Sequence, residues 1–118
     1  MNNKKILVCD DDLGILEMIE LILQEEGYVV ITVEKSVNAL RTIQSEKPDL
    51  VLLDIWMPVI SGDQVLRSMK ADRLIIPVLM YSASSDGEAI AKTAGADDYI
   101  AKPFDINKLL NKIRSLLA

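Results

Sequence analysis

Short apolar runs alternate along this chain with longer stretches in which apolar residues recur every three or four positions. Residues 4–9 (KKILVC), 28–33 (YVVITV), 49–54 (DLVLLD), 77–82 (PVLMYS) and 98–101 (DYIA) have strand length and few breaks. Between them the 3–4 spacing predicts helices. Ile15, Leu16, Ile19, Ile22 and Leu23 form one face of a helix over 13–26, and Gly27 follows as a C-terminal cap. Ser36 is expected to cap a second helix carrying Val37, Leu40 and Ile43, which Pro48 closes. Ser61 with Gln64, and Ser85 with Glu88, read as capping boxes for helices over 62–70 and up to Gly95. Asp105 caps a last helix whose face carries Ile106, Leu109, Leu110, Ile113 and Leu117.

Five strand–helix units in this order predict an α/β fold: a five-stranded parallel sheet with five helices on both faces. Runs such as ILVC and LVLL suit strands buried on both sides. Right-handed crossovers then bring every strand's carboxyl end to one rim, where ligands bind in open parallel sheets.

The residues at that rim are chemically unusual. Asp10, Asp11 and Asp12 follow the first strand, Asp54 ends the third, Ser82 ends the fourth, and Lys102 follows the fifth. Asp12 also reads as a plain helix N-cap. Carboxylates packed this closely repel one another unless a cation neutralises them. An all-oxygen ligand set suits Mg²⁺, which also binds phosphate oxygens. Lys102, a compact positive charge, can balance Asp54 and hold a phosphoryl oxygen, and the Ser82 hydroxyl can donate to the same group.

Composition narrows the field. At 118 residues with half of them apolar, the chain is expected to be one domain, 1–118, with a core that needs no metal or disulfide staple. One cysteine, Cys9, cannot form an internal disulfide and suits a reducing compartment. The opening MNNKK does not read as a secretory signal, and no apolar run approaches the ~18–20 residues of a membrane span. A cytoplasmic protein is expected. A net charge of -5 argues against direct nucleic-acid binding. There is no histidine, so any phosphohistidine belongs to a partner.

The motifs KILVCDDD, DLVLLDIWMP, PVLMYSA and GADDYIAKPF, in this order and spacing, resemble the receiver domain of two-component response regulators over essentially the whole chain. The resemblance implies the flavodoxin-like (βα)5 receiver fold. It implies that Asp54 is the phospho-acceptor, that Asp10 and Asp11 organise Mg²⁺ with it, and that Trp56 ligates the ion through its backbone carbonyl. It further implies that Ser82 and Lys102 hold the phosphoryl oxygens, that Ser82 and Tyr99 form the switch, and that the Lys102–Pro103 peptide bond is cis. The expected donor is the phosphohistidine of a sensor histidine kinase or phosphotransfer protein. The protein is then a signalling switch that catalyses only its own phosphoryl transfer and autodephosphorylation, not an enzyme acting on a separate substrate.

The loop MPVISGDQ departs from the family pattern, with Ser61 where an acidic residue is more usual; Pro58 and Gly62 are kept. Trp56 and Ser84 stand two residues past Asp54 and Ser82, positions that tune hydrolysis in the family. The bulky indole is expected to impede the attacking water, so Trp56→Ala should lose phosphate faster. By the same analogy Leu13, Gly14, Ile15, Pro103 and Phe104 are candidates for docking the kinase. Asp97, Asp98 and Lys112 match charges of receivers that dimerise through the fourth helix, fifth strand and fifth helix, while Glu88 and Lys108 carry charges swapped from that pattern; a plainly solvated surface is the other reading. No output domain lies within these residues, which fits a stand-alone receiver or the N-terminal module of a longer regulator, acting on a downstream effector or output domain.

Two other classes remain open on the residues alone. Asp10-x-Asp12 with a later Ser and Lys superficially fits an aspartate-nucleophile phosphatase of the haloacid dehalogenase type, with Asp10 as nucleophile. A flavin-binding module would need a phosphate-cradling loop after the first strand, where DDDLG is repulsive.

Overall fold

The computed structural model describes residues 3–118. Five strands form one parallel sheet: β1 (Lys5–Cys9), β2 (Val29–Val33), β3 (Leu50–Asp54), β4 (Val78–Ser82) and β5 (Asp98–Ala101). Their order is β2-β1-β3-β4-β5. The helices are α1 (Leu13–Glu25), α2 (Ala39–Glu46), α3 (Gly62–Ala71), α4 (Gly87–Ala94) and α5 (Ile106–Leu117). This is the α/β architecture expected, with a flavodoxin-like order whose direction reverses between β1 and β3.

Alternation along the strands splits the core in two. Ile6, Val8, Leu50, Leu52, Leu79, Tyr81 and Ile100 pack beneath α1 and α5, against Leu16, Ile19, Leu23, Leu109 and Ile113. Leu7, Cys9, Val51, Leu53, Val78 and Met80 pack on the other face, against Ala39, Ile43, Val65, Met69 and Ala91 of α2, α3 and α4. β3 and β4 are buried along their whole length. Two covered faces explain why these strands read as continuous apolar runs.

Most boundaries fall within a residue or two of expectation. Asp12 caps α1 by accepting the N–H groups of Gly14 and Ile15, and Asp105 caps α5 through Asn107 and Lys108. Ser61 and Gln64 close the expected capping box, with Gln64 Oε1 accepting the Ser61 N–H at 2.9 Å. Gly27 and Gly95 both adopt φ of 89°, the left-handed conformation that ends α1 and α4.

Two caps are corrected. Ser36 opens a short 3-10 turn (Ser36–Asn38) and makes no capping hydrogen bond; its buried hydroxyl donates to the Pro58 carbonyl at 2.8 Å. Nor does Ser85 cap α4. Asp86 holds the N-cap position, without a side-chain cap bond. In both places a polar side chain next to a helix start satisfied the local pattern while the backbone took another course.

Candidate functional site

The carboxyl ends of β1 and β3 are neighbours at the reversal point, which brings Asp10 and Asp11 beside Asp54. One carboxylate oxygen from each of Asp10, Asp11 and Asp54 lies within 4.8 Å of the others. Asp10 is fully buried and Asp54 nearly so, while Asp11 is exposed. Two buried acids and one at the surface form a crevice open on one side. Oxygens at that spacing need only a small adjustment to meet a divalent cation, so the donor set fits Mg²⁺.

Lys102 supplies the protein's own compensating charge. Its Nζ stands 3.5 Å from Oδ2 of Asp10 and 3.5 Å from Oδ2 of Asp54. The ammonium also sits 4.9 Å from the centre of the Tyr81 ring, which packs edge-on against Phe104 with ring centres 5.7 Å apart. The Lys102–Pro103 bond is cis, as the resemblance implied. Burial, and then the charge of Asp10, push the Asp54 carboxyl from its ordinary 3.8 up to about 6, with Lys102 acting in the opposite direction.

Asp10 is held by two further bonds that sequence reasoning missed. The Tyr81 hydroxyl donates to its Oδ2 at 2.7 Å, and the Asp12 N–H donates to its Oδ1 at 2.9 Å. Burial and the adjacent Asp10 charge hold the Tyr81 phenol well above its usual range, so it remains a donor. The one available signal was a tyrosine, with a polar tip, at the end of the apolar run before Ser82. Cys9, buried beside these acids and pointing its thiol at Met57 Sδ 3.5 Å away, is pushed up to about 12 and stays protonated.

Ser82 is buried at the end of β4, and Tyr99, half-buried on β5, donates its hydroxyl to the Ser82 carbonyl at 3.2 Å. Trp56 leaves the site and is 53% exposed, with its indole Nε1 donating to Ser84 Oγ at 2.8 Å. Asp10, Asp11, Asp54, Ser82 and Lys102 thus lie at one end of the sheet, with Tyr99 behind Ser82.

The loop from β3 to α3 is held from two sides. Ser36 bonds the Pro58 carbonyl and accepts the Ile60 N–H at 3.3 Å, bracketing Val59, whose φ of 72° is strained for a β-branched residue. Gly62 donates its N–H to the Ile55 carbonyl at 2.8 Å, and a Cβ there would collide with the Asp54 carbonyl oxygen and lie 3.1 Å from Ile55 Cα. Because the obstacle is backbone, it cannot rotate away. Gly62→Ala should therefore cost about 1–3 kcal/mol, as overpacking does. It should also displace Asp54; an unchanged urea midpoint would refute the close approach.

The response regulator receiver domain family matches residues 6–114. The chain belongs to that family. It is therefore a receiver domain of the two-component response regulators, built for phosphorylation-dependent signalling. PhoP of Bacillus subtilis, described as an alkaline phosphatase synthesis transcriptional regulatory protein, is 35% identical over 117 residues, covering 98% of this chain and 49% of that protein. The DNA-binding response regulator MtrA of Mycobacterium tuberculosis is 36% identical over 97% of this chain and 50% of its own length. The receiver thus spans about half the length of these curated relatives. Among solved structures, a putative response regulator from Chloroflexus aurantiacus superposes with a TM-score of 0.93 at 30% identity, covering 98% of both chains. A CheY-like receiver domain protein from Methanospirillum hungatei gives 0.90 at 34% identity over 98% of this chain and 94% of its own.

Proposed function

We propose that Asp54 accepts a phosphoryl group from the phosphohistidine of a sensor histidine kinase or phosphotransfer protein, and that the resulting acyl phosphate throws a switch read by a downstream effector or output domain. The observation that carries this reading is the gathering of three carboxylates within 4.8 Å, two of them 3.5 Å from the Lys102 ammonium. An Asp54 oxygen attacks phosphorus in line while the bond to the donor nitrogen breaks. Lys102, beside both acids, would stabilise charge on the equatorial oxygens, and the Ser82 hydroxyl would join it once turned toward the bound group. Asp10, Asp11, Asp54 and the Trp56 backbone carbonyl would hold Mg²⁺, which when bound neutralises the acids and adds positive charge opposite the phosphoryl oxygens. Water later hydrolyses the acyl phosphate, so the domain resets itself and turns over no separate substrate.

A groove of about 390 Å³ lined by Ile15, Met18, Ala83, Pro103 and Phe104 borders Lys102 and offers an apolar seat for the donor protein. Leu13, at the start of α1, is also exposed. The output face is α4, β5 and α5, through which a homodimer is also proposed. There Lys112 already bonds both oxygens of Asp98 at 3.1 Å and Asp97 accepts the Val78 N–H, so pairing between copies would exchange these bonds. Among the described residues no helix is long and apolar enough to cross a membrane, and the proposed setting is the cytoplasm, where such kinases present phosphohistidine.

The phosphatase reading makes Asp10 the nucleophile, yet Asp10 is fully buried with both its oxygens bonded, whereas Asp54 ends β3 at the crevice. Intact-mass spectrometry after incubation with Mg²⁺ and acetyl phosphate tests both. A gain of one phosphoryl group (~80 Da) that disappears in Asp54→Asn is expected. Label that survives in Asp54→Asn and vanishes in Asp10→Asn would overturn the assignment.

A further inference from the structure

The Ser82 hydroxyl is already engaged. Its Oγ, fully buried, accepts the Ser84 N–H at 2.9 Å and lies 2.8 Å from Ser84 Oγ. Ser84 Oγ is in turn 2.8 Å from the Trp56 indole nitrogen. An indole N–H only donates, so Ser84 accepts it. A buried hydroxyl must also place its own hydrogen, and among the described residues the one side-chain oxygen bonded to Ser82 Oγ is Ser84 Oγ. Ser82 therefore donates to Ser84, whose two lone pairs take both Ser82 and Trp56. Half-exposed Ser84 can give its own hydrogen to water.

The proton that a phosphoryl oxygen would need from Ser82 is thus committed to Ser84. We propose that Trp56, acting through Ser84, latches the Ser82 hydroxyl away from the phosphorylation site, so that these two positioning residues set how readily the receiver adopts its phosphorylated conformation. The latch rests on the phosphoryl-binding role of Ser82 proposed above. The space for the latched hydroxyl comes from Gly87, where a Cβ would lie 2.6 Å from Ser82 Oγ and would also meet the Tyr99 hydroxyl. The first residue of α4 therefore touches both members of the Ser82–Tyr99 pair, and releasing the latch frees Ser82 from α4 as well as from Ser84.

This role of the indole differs from shielding against water. Shielding needs the ring's bulk, while the latch needs its N–H. Trp56→Phe separates them, because it keeps an aromatic ring and removes the donor. Ser84→Ala removes the relay and leaves the ring untouched. Both changes remove a neutral hydrogen bond that opposes phosphoryl binding. Each should therefore tighten apparent binding by about three- to ten-fold.

Trp56 is the only tryptophan in the chain, so its indole N–H gives one resonance in a ¹⁵N-correlated NMR spectrum of the full chain. In the free protein, Ser84→Ala should shift that proton upfield and speed its exchange with water. Titrating beryllofluoride, a phosphoryl mimic, at saturating Mg²⁺ should free the indole N–H in the wild type. Both variants should bind the mimic more tightly, and Trp56→Phe/Ser84→Ala should bind no more tightly than Ser84→Ala. An indole resonance indifferent to Ser84→Ala, or variants that bind the mimic as the wild type does, overturns the latch and leaves the phosphorylation reading standing. A wild type that binds no beryllofluoride overturns both.

Discussion

Asp54→Asn is expected to abolish phosphoryl uptake and, in the same protein, to raise stability near neutral pH. The two effects share one cause. The carboxylate is nearly buried beside Asp10, and without a bound cation its ionisation is opposed, which lifts its folded value from 3.8 to about 6. A folded-state value above the unfolded one means that the folded protein holds the proton more tightly. Stability from this group is then fully present below about pH 4 and is lost as pH rises through about 6. Above that range the ionised Asp54 costs about 3 kcal/mol. Asparagine keeps the shape and cannot ionise. Thermal unfolding in metal-free buffer should show Asp54→Asn several degrees more stable than the wild type at pH 7.5, with the gap closing by pH 4.5. Adding Mg²⁺ should narrow the gap at pH 7.5, because binding stabilises the wild type more. Equal melting temperatures at pH 7.5, or a gap that ignores pH, would contradict the electrostatic account of the crevice. The receiver accordingly holds its acidic crevice at the expense of its own stability.

Lys102→Met should have the opposite sign. One ammonium stands 3.5 Å from both buried carboxylates, so its removal leaves Asp10 and Asp54 facing each other uncompensated. Breaking a buried ion pair from one side costs roughly 3–5 kcal/mol, and the partial exposure of Lys102 places the expected loss toward the lower end. Methionine keeps most of the aliphatic stem, so the loss reports charge more than packing. Two controls identify the source. The loss should shrink at pH 5, where Asp54 carries its proton, and it should shrink again in the Asp54→Asn background, as residues sharing one network require. A urea-midpoint difference that is the same in both backgrounds would assign the effect to the stem instead. Phosphoryl uptake should also fall steeply in Lys102→Met, since the group proposed to balance the equatorial oxygens is gone.

The order of elements and the membership of the site were legible along the chain because both are written in local or periodic signals. Apolar runs at strand length and 3–4 spacing between them report which faces are buried, and β3 and β4 are indeed buried throughout. Parallel strands joined by right-handed crossovers share one rim, so residues that follow strand ends meet whatever their separation in sequence. That is why Asp10, Asp11, Asp54, Ser82 and Lys102 could be gathered without coordinates, and why the caps at Asp12 and Asp105, whose partners lie two and three residues away, were read correctly.

The long-range polar bonds, by contrast, follow from packing and not from pattern. Ser36 looks like a helix cap by position, yet its hydroxyl finds the Pro58 carbonyl 22 residues away and fastens the loop that carries Val59. Tyr81 reaches Asp10 across 71 residues, and the Trp56 indole reaches Ser84 across 28. Hydrogen bonds are short and directional, so partner choice turns on side-chain placement to within a few tenths of an ångström, which no periodicity encodes. Local pattern and periodicity were enough for the receiver's architecture and for the acids, hydroxyl and ammonium at its rim. The fold alone decided that the Asp54 carboxyl is raised to about 6, that Asp10 is pinned by a buried phenol, and that the Ser82 hydroxyl lies against Ser84, because burial and hydrogen-bond geometry exist only once distant segments have packed.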